Sequence, residues 1–380
     1  MTGTGLFSWR RVFAVLLKEF IQMRRDRLTF AMIIGVPILQ LVLFGYAINS
    51  DPKALPTALL SADQSVFSRD LVAALENSGY FRITHRAKNE AEVDRLLAIG
   101  AVQFAVTIPS DFSRRLQRGE TPTLLVEADA TDPAATSNAL ATLLTLNRTA
   151  LEREMSGSLQ SLLGQPPPFE IRIHRRYNPE GIVQHNIVPG LIGVVLTMTM
   201  VMMTALAVTR ERERGTMEAL LATPVRPLEV MVGKIAPYII VGYIQVAFIL
   251  IAARILFGVP MLGSLGLLSL ALIVFIAANL AVGFTFSTVA RNQMQAMQMA
   301  FFFFLPSMLL SGFMFPFRGM PTWAQWLGEL LPLTHFLRIV RGIMLKGNEA
   351  AEILPNIWPI GVFLLLAAVV ALLRYRETLD

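Results

Sequence analysis

The sequence contains no cysteine. Disulfides, thiolate nucleophiles, iron–sulfur clusters and cysteine-based zinc sites are therefore excluded. Charge is also scarce, at 16% of residues against about 25% in soluble proteins. The formal net charge is +6, unevenly spread. Residues 49–186 carry 14 Lys/Arg and 16 Asp/Glu, so the whole basic excess lies outside that stretch. Basic residues at the edges of apolar runs mark the cytoplasmic side of a membrane protein, and not a binder of nucleic acid. Histidine is rare too. His85 and His174 stand alone, without metal-ligand spacing. No G-x-S-x-G, H-E-x-x-H or G-x-x-x-x-G-K-[S/T] occurs. The nearest miss, residues 342–347, is followed by Asn348-Glu349, without the phosphate-reaching lysine or the Mg²⁺-binding hydroxyl. The apolar runs contain no Asp or Glu, which disfavours a proton- or sodium-driven transporter.

What the sequence has in abundance is apolar residues, 54% of the chain, gathered into runs. A bilayer core of about 30 Å needs roughly 20 such residues in a helix. Six stretches qualify: 28–48, 187–208, 235–257, 262–289, 297–315 and 357–373. Lys and Arg cluster before the first, between the second and third, between the fourth and fifth, and after the last. By the positive-inside rule both termini are cytoplasmic and 49–186 is outside. A cleaved signal peptide fits the start poorly, because the apolar run exceeds an h-region of about 7–15 residues. Residues 1–27 place Phe13, Leu16, Leu17 and Phe20 on one helical face, as in a helix lying in the cytoplasmic interface.

The insert 49–186 alternates short strands and helices. Strands are expected at 57–61, 81–85, 101–108, 124–127 and 169–174, and helices at 65–77, 89–99, 109–118 and 132–155. Asn89, three residues before Glu92, reads as a helix cap. Asp129 and Asp132 lie close together, but turn and cap roles explain them better than a catalytic pair. Asn147-Arg148-Thr149 matches a glycosylation sequon, by chance if it lies in a helix. The insert reads as a binding or docking α/β module.

The most informative segment is cytoplasmic: Arg210-Glu211-Arg212-Glu213-Arg214-Gly215-Thr216-Met217-Glu218-Ala219-Leu220-Leu221-Ala222-Thr223-Pro224-Val225, followed by Gly233-Lys234. Gly215-Thr216 can turn the chain and cap a short helix, Glu218 sits favourably in its first turn, and Pro224 stops it. This run resembles the signature of ABC-2 type permeases. The resemblance extends to Phe44-Gly45-Tyr46-Ala47-Ile48-Asn49, to Asn178-Pro179, to Leu305-Pro306-Ser307-Met308-Leu309-Leu310 and to Leu331-Pro332-Leu333-Thr334-His335-Phe336. It is nearest to bacterial inner-membrane permeases of drug exporters with a large external domain after the first span.

The resemblance implies six transmembrane helices, an external α/β domain between spans one and two, and a re-entrant hairpin between spans five and six. It implies an ATP-driven exporter of hydrophobic or amphipathic compounds working by alternating access. ATP and Mg²⁺ would be held by ATPase subunits on separate chains, with no cofactor and no catalysis on this one. A second permease, identical or related, would complete the pathway, and some relatives add a periplasmic membrane-fusion protein. Glu213, Arg214, Gly215, Thr216, Met217, Glu218, Leu221 and Pro224 would form the coupling segment. The other reading kept open is a membrane subunit that drives periplasmic machinery without passing substrate itself.

Candidate substrate or lipid contacts are Met198, Met202, Phe301, Phe304, Arg338 and Arg341. Soft methionines and broad aromatic faces suit varied hydrophobic compounds, and equally suit helix packing or lipid. Arg338 and Arg341 share a helical face in a segment, 318–356, whose short amphipathic helices cannot span. They would touch lipid phosphates or an anionic substrate, or simply snorkel to headgroups. Arg254, the one charge inside a run, is expected to snorkel.

Overall fold

The structure, a computed structural model, describes residues 51–151, 167–213 and 227–374. The expected interfacial helix 1–27, the first span 28–48 and the coupling residues 214–224 lie outside the described residues.

The insert is a five-stranded sheet in the order β2-β1-β3-β4-β5. Its strands are β1 (Leu55–Ser61), β2 (Phe81–Arg86), β3 (Phe104–Ile108), β4 (Thr123–Asp129) and β5 (Glu170–Arg176). Only the β3–β4 pair is antiparallel. The sequence explains the order. β1 and β3 are almost continuously apolar and buried on both faces, as inner strands must be. β5 alternates apolar with charged residues and forms an edge, which charge protects from further pairing. Helices α1 (Val66–Asn77), α2 (Glu90–Ala98), α3 (Phe112–Gln117) and α4 (Pro133–Thr149) supply the other apolar layer. Phe81 meets Phe104 edge-on with ring centroids 5.1 Å apart, and Phe112 meets Phe169 at 5.9 Å.

Helix starts follow local chemistry. Asn89 Oδ1 accepts from the Glu92 N–H, while Glu92 reaches back to the Lys88 N–H. Asp132 caps α4, with Pro133 in its first turn. Asp63 accepts from the backbone N–H groups of Ser65 (2.7 Å) and Ser113 (2.8 Å), tying the end of β1 to α3 across fifty residues. Burial alone would push its carboxyl up, but these hydrogen bonds outweigh it and hold the group below its ordinary value of 3.8.

The remaining helices are α5 (Val183–Glu213), α6 (Pro227–Phe257), α7 (Leu265–Val289), α8 (Gln293–Leu310), α9 (Thr322–Glu329), α10 (Pro332–Arg341) and α11 (Ala350–Arg374). Four contain stretches long and apolar enough to cross a membrane: Val183–Ala207, Pro237–Phe257, Leu265–Val289 and Ala350–Arg374. At 1.5 Å per residue, 25 residues cover about 37 Å. The expected fifth span, 297–315, differs. Its helix is Gln293–Leu310, moved towards the N-terminus because Asn292 caps it and Gly312, at φ 83°, ends it. With three glutamines in its first two turns, it is not among the four.

Two other boundaries moved for identifiable reasons. Residues 262–264, expected inside a span, stay out of α7 because the Leu262 and Gly263 N–H groups bond the carbonyls of Met344 (3.0 Å) and Ile343 (2.9 Å). A side chain at Gly263 would meet Ile343 O at 2.6 Å. The last helix starts at Ala350, seven residues before the apolar run, and continues through Pro355 and Pro359.

α7 is the hub. It packs on α5, α11, α6 and α10. At Gly283 it approaches α5 so closely that a Cβ would lie 2.5 Å from Val201 O. α10 buries Leu333, Phe336, Leu337 and Val340, the i, i+3, i+4, i+7 stripe, with Phe336 stacked on Phe275 at 4.0 Å. By contrast α6 and α11 bury only 17% and 11% of their most apolar windows, so among the described residues their broad faces are left largely uncovered.

Candidate functional site

Polar groups gather at several places among the described residues, and two of these lie where the long helices end. The first is at the end of α5, where the expected coupling segment begins. The Glu213 carboxylate accepts from the Gln293 backbone N–H (2.8 Å) and from its side-chain amide. Arg210 Nε donates to Gln293 Oε1. The Gln293 side chain and then its N–H hold the Glu213 carboxyl below its ordinary range. An exposed acid thus ties the end of α5 to the first turn of α8, where a negative charge also suits the helix dipole. Glu213 is the one residue of the expected coupling set inside the described residues.

The second is the joint between the α/β insert and the short helices. α10 runs into a single π-helical turn, Gly342–Lys346, closed by Gly347 in the left-handed region at φ 72°. Lys346 leaves this turn to meet Asp129 Oδ2 at 2.5 Å, with both side chains at least nine-tenths buried. It also donates to Leu97 O and lies 4.9 Å from the centre of the Tyr177 ring. Asn348 donates to Ala98 O. Burial, then the charge of Asp129, push the Tyr177 hydroxyl up to about 12, so it stays a neutral phenol beside the pair. The same turn supplies the carbonyls of Ile343 and Met344 to the α6–α7 connection. One irregular turn therefore joins three parts of the molecule.

Beside this joint is a cavity of about 490 Å³, walled by the ends of α2 and β4, by α10 and by the first turns of α11. Arg338 makes a two-pronged contact with Glu329 (2.6 and 3.0 Å) and lies over Phe317. Burial would raise the Glu329 carboxyl, and Arg338 outweighs it and lowers it. His335 bridges Glu329 O and Asn356 Oδ1, fastening α10 to α9 and α11. Arg341 donates to the carbonyls of Gly312 (3.1 Å) and Asn186 (3.4 Å).

The expected contact residues do not converge on this cavity. Arg338 and Arg341 line it, and both bond protein groups rather than extend outward to headgroups, although Arg341 keeps a buried Nη2 without a partner. Phe304 is buried in the helix core, and Met202 packs beside Ala300 and Phe363. Met198 and Phe301 are exposed on α5 and α8. Asp129 has a further partner the sequence did not suggest. The signal was faint: a lone lysine closing an apolar turn, and its acid 217 positions away.

The sequence profile of the ABC-2 family transporter proteins matches residues 27–373. The chain belongs to this family. The match spans the α/β insert as well as the apolar helices, so both are parts of one family architecture. Among similar proteins, the probable multidrug ABC transporter permease YbhS of Escherichia coli K12 is 30% identical over 99% of both chains. The inner membrane transport permease YhhJ of the same strain is 27% identical over 97% of this chain and 98% of its own. ABC transporter G family member 20 of Dictyostelium discoideum is 24% identical over 87% of this chain and 45% of that longer protein. This ABC-2 protein is thus a membrane-embedded permease, related to transport subunits rather than to catalytic ones.

Proposed function

We propose that this chain is the permease subunit of an ATP-driven exporter in a bacterial inner membrane, carrying hydrophobic or amphipathic compounds outward. The observation that carries the reading is the end-to-end likeness to permeases named for multidrug transport. Six spans, both termini in the cytoplasm, an external insert and a re-entrant α9–α10 hairpin complete it. Separate ATPase subunits bind ATP and Mg²⁺, and a second permease forms the other half of the pathway. A membrane-fusion partner would seat on the insert. ATP binding is relayed through residues 214–224 to α5, whose end Glu213 is tied to α8. Movement at that end reaches two helices at once, which supports a coupling role. No observation favours the mechanotransmission reading.

Replacing Glu218 with Lys tests it. Co-purification of the ATPase and drug resistance in a host lacking the native pump should both fall at least about tenfold, the loss expected when an opposed charge is placed in a docking contact. Wild-type values for both would sink the coupling assignment.

A further inference from the structure

The charges around the cavity are unevenly sorted. Four carboxylates line it, and all four are occupied. Asp129 takes Lys346 and Thr131, and Glu329 takes Arg338. Asp132 takes the N–H groups of Ala134 and Ala135, and Glu352 takes that of Glu349. The donors are not all used. Among the described residues the Arg318 guanidinium makes no hydrogen bond or ion pair, although it lines the cavity. Arg318 is exposed to solvent, and Arg338 lines the same cavity. The Glu329 carboxylate in the same wall already carries the two-pronged contact from Arg338. Arg341, which lines the same cavity, keeps a buried Nη2 without a partner, so two guanidiniums there have donors left to offer an anion.

The rest of the wall points to what that anion is attached to. Pro355, Trp358 and Pro359, in the first turns of the candidate span α11, line the same cavity. Trp326 on α9, Leu330 just after it and Trp358 on α11 are exposed. Gln103 adds a buried side-chain oxygen with no partner, on an amide that can turn to present either end. Aromatic and apolar groups beside a guanidinium free of protein partners are the combination that fits an amphiphile with an anionic head.

We propose that this cavity binds the phosphate ester of an amphiphile, with Arg318 holding the phosphate and the Trp358 end of α11 receiving the apolar part. The site stands whichever compound the permease exports, because neither ATP nor transport enters the argument. Thermal unfolding of the full-length permease in a neutral detergent tests it, using dioctanoyl phosphatidylglycerol, dioctanoylglycerol and inorganic phosphate as probes. The phosphatidylglycerol should give a saturable rise in Tm and the phosphate-free dioctanoylglycerol should not. Arg318→Gln should weaken the apparent affinity about tenfold, the loss expected for a charge-assisted contact. Arg318→Lys should recover part of it, and Arg172→Gln on the far edge strand should bind as wild type. Arg318 has no bonded partner here, so its variants should melt at the wild-type temperature without ligand. Saturation by inorganic phosphate with the same Arg318 dependence would support the phosphate site and assign it to a soluble source instead of a lipid. Absence of saturation by either phosphate probe, an equal response to dioctanoylglycerol, or an Arg318→Gln variant that binds as wild type would overturn the proposal.

Discussion

At the scale of single residues, the Lys346–Asp129 pair carries the largest expected energy. Both groups are buried, so removing one strands the other. Lys346→Met should destabilise the protein by about 3–5 kcal/mol, whereas replacing both partners with apolar groups should recover much of it. Denaturant unfolding of the two single variants and the double variant checks this, and additive losses would show that the two residues do not act as a pair. Asp63 gives a dependence on pH. Its folded pKa is lowered, so its stabilisation is complete above the unfolded value and disappears as pH falls through the folded one. Asp63→Ala should cost about 2 kcal/mol at neutral pH, since two backbone donors lose their acceptor. The difference in Tm from wild type should shrink below about pH 3.5, near and under the unfolded carboxylate pKa. A difference that stays constant down to pH 2 would exclude the ionised carboxylate as its source.

At the scale of elements, the closest packing is between α5 and α7. Gly283 faces the α5 backbone, which cannot yield as a side chain can. Gly283→Val should cost at least about 2–3 kcal/mol, seen as a lower Tm in detergent, because relief requires the two helices to part. Gly361 of α11 has open space around it, so the same substitution there should be nearly silent. The π-helical turn has a different role. By leaving the regular helix, it frees two carbonyls for the α6–α7 connection and aims Lys346 at the sheet. Hydrogen exchange of the backbone between α2 and β3 should quicken in Lys346→Met, because Leu97 O loses its donor and Asp129 its cation. Unchanged exchange there would mean the joint is held by other contacts.

At the scale of the whole molecule, three of the four tryptophans, Trp323, Trp326 and Trp358, lie within 36 residues of one another and are substantially exposed. They flank the start of a candidate span, where indole rings favour the headgroup level of a bilayer. In reconstituted protein, lipids brominated near the headgroup should quench tryptophan fluorescence more than lipids brominated at the chain ends. The reverse order would place these helices elsewhere. The exposed faces of α6 and α11 fit the same view. Apolar faces that the described residues leave uncovered suit contact with lipid or with further apolar helices.

The membrane class, the family and the alternation of strands and helices in the insert were legible in the sequence. Apolar run length, period-two against helical patterning and cap residues such as Asn89 and Asp132 are local signals, and local physics decides them. The amphipathic character of the short helices within 318–356 was legible for the same reason. The joint was not. Lys346 and Asp129 sit in unrelated local contexts, and only folding brings them together, as it does Arg318 and Arg338. Sequence alone could place Arg338 and Arg341 on one helical face, and from there reaching out to headgroups and bonding inward look alike. The tertiary structure decided between them, because Glu329 and the carbonyls of Gly312 and Asn186 stand where those guanidiniums point.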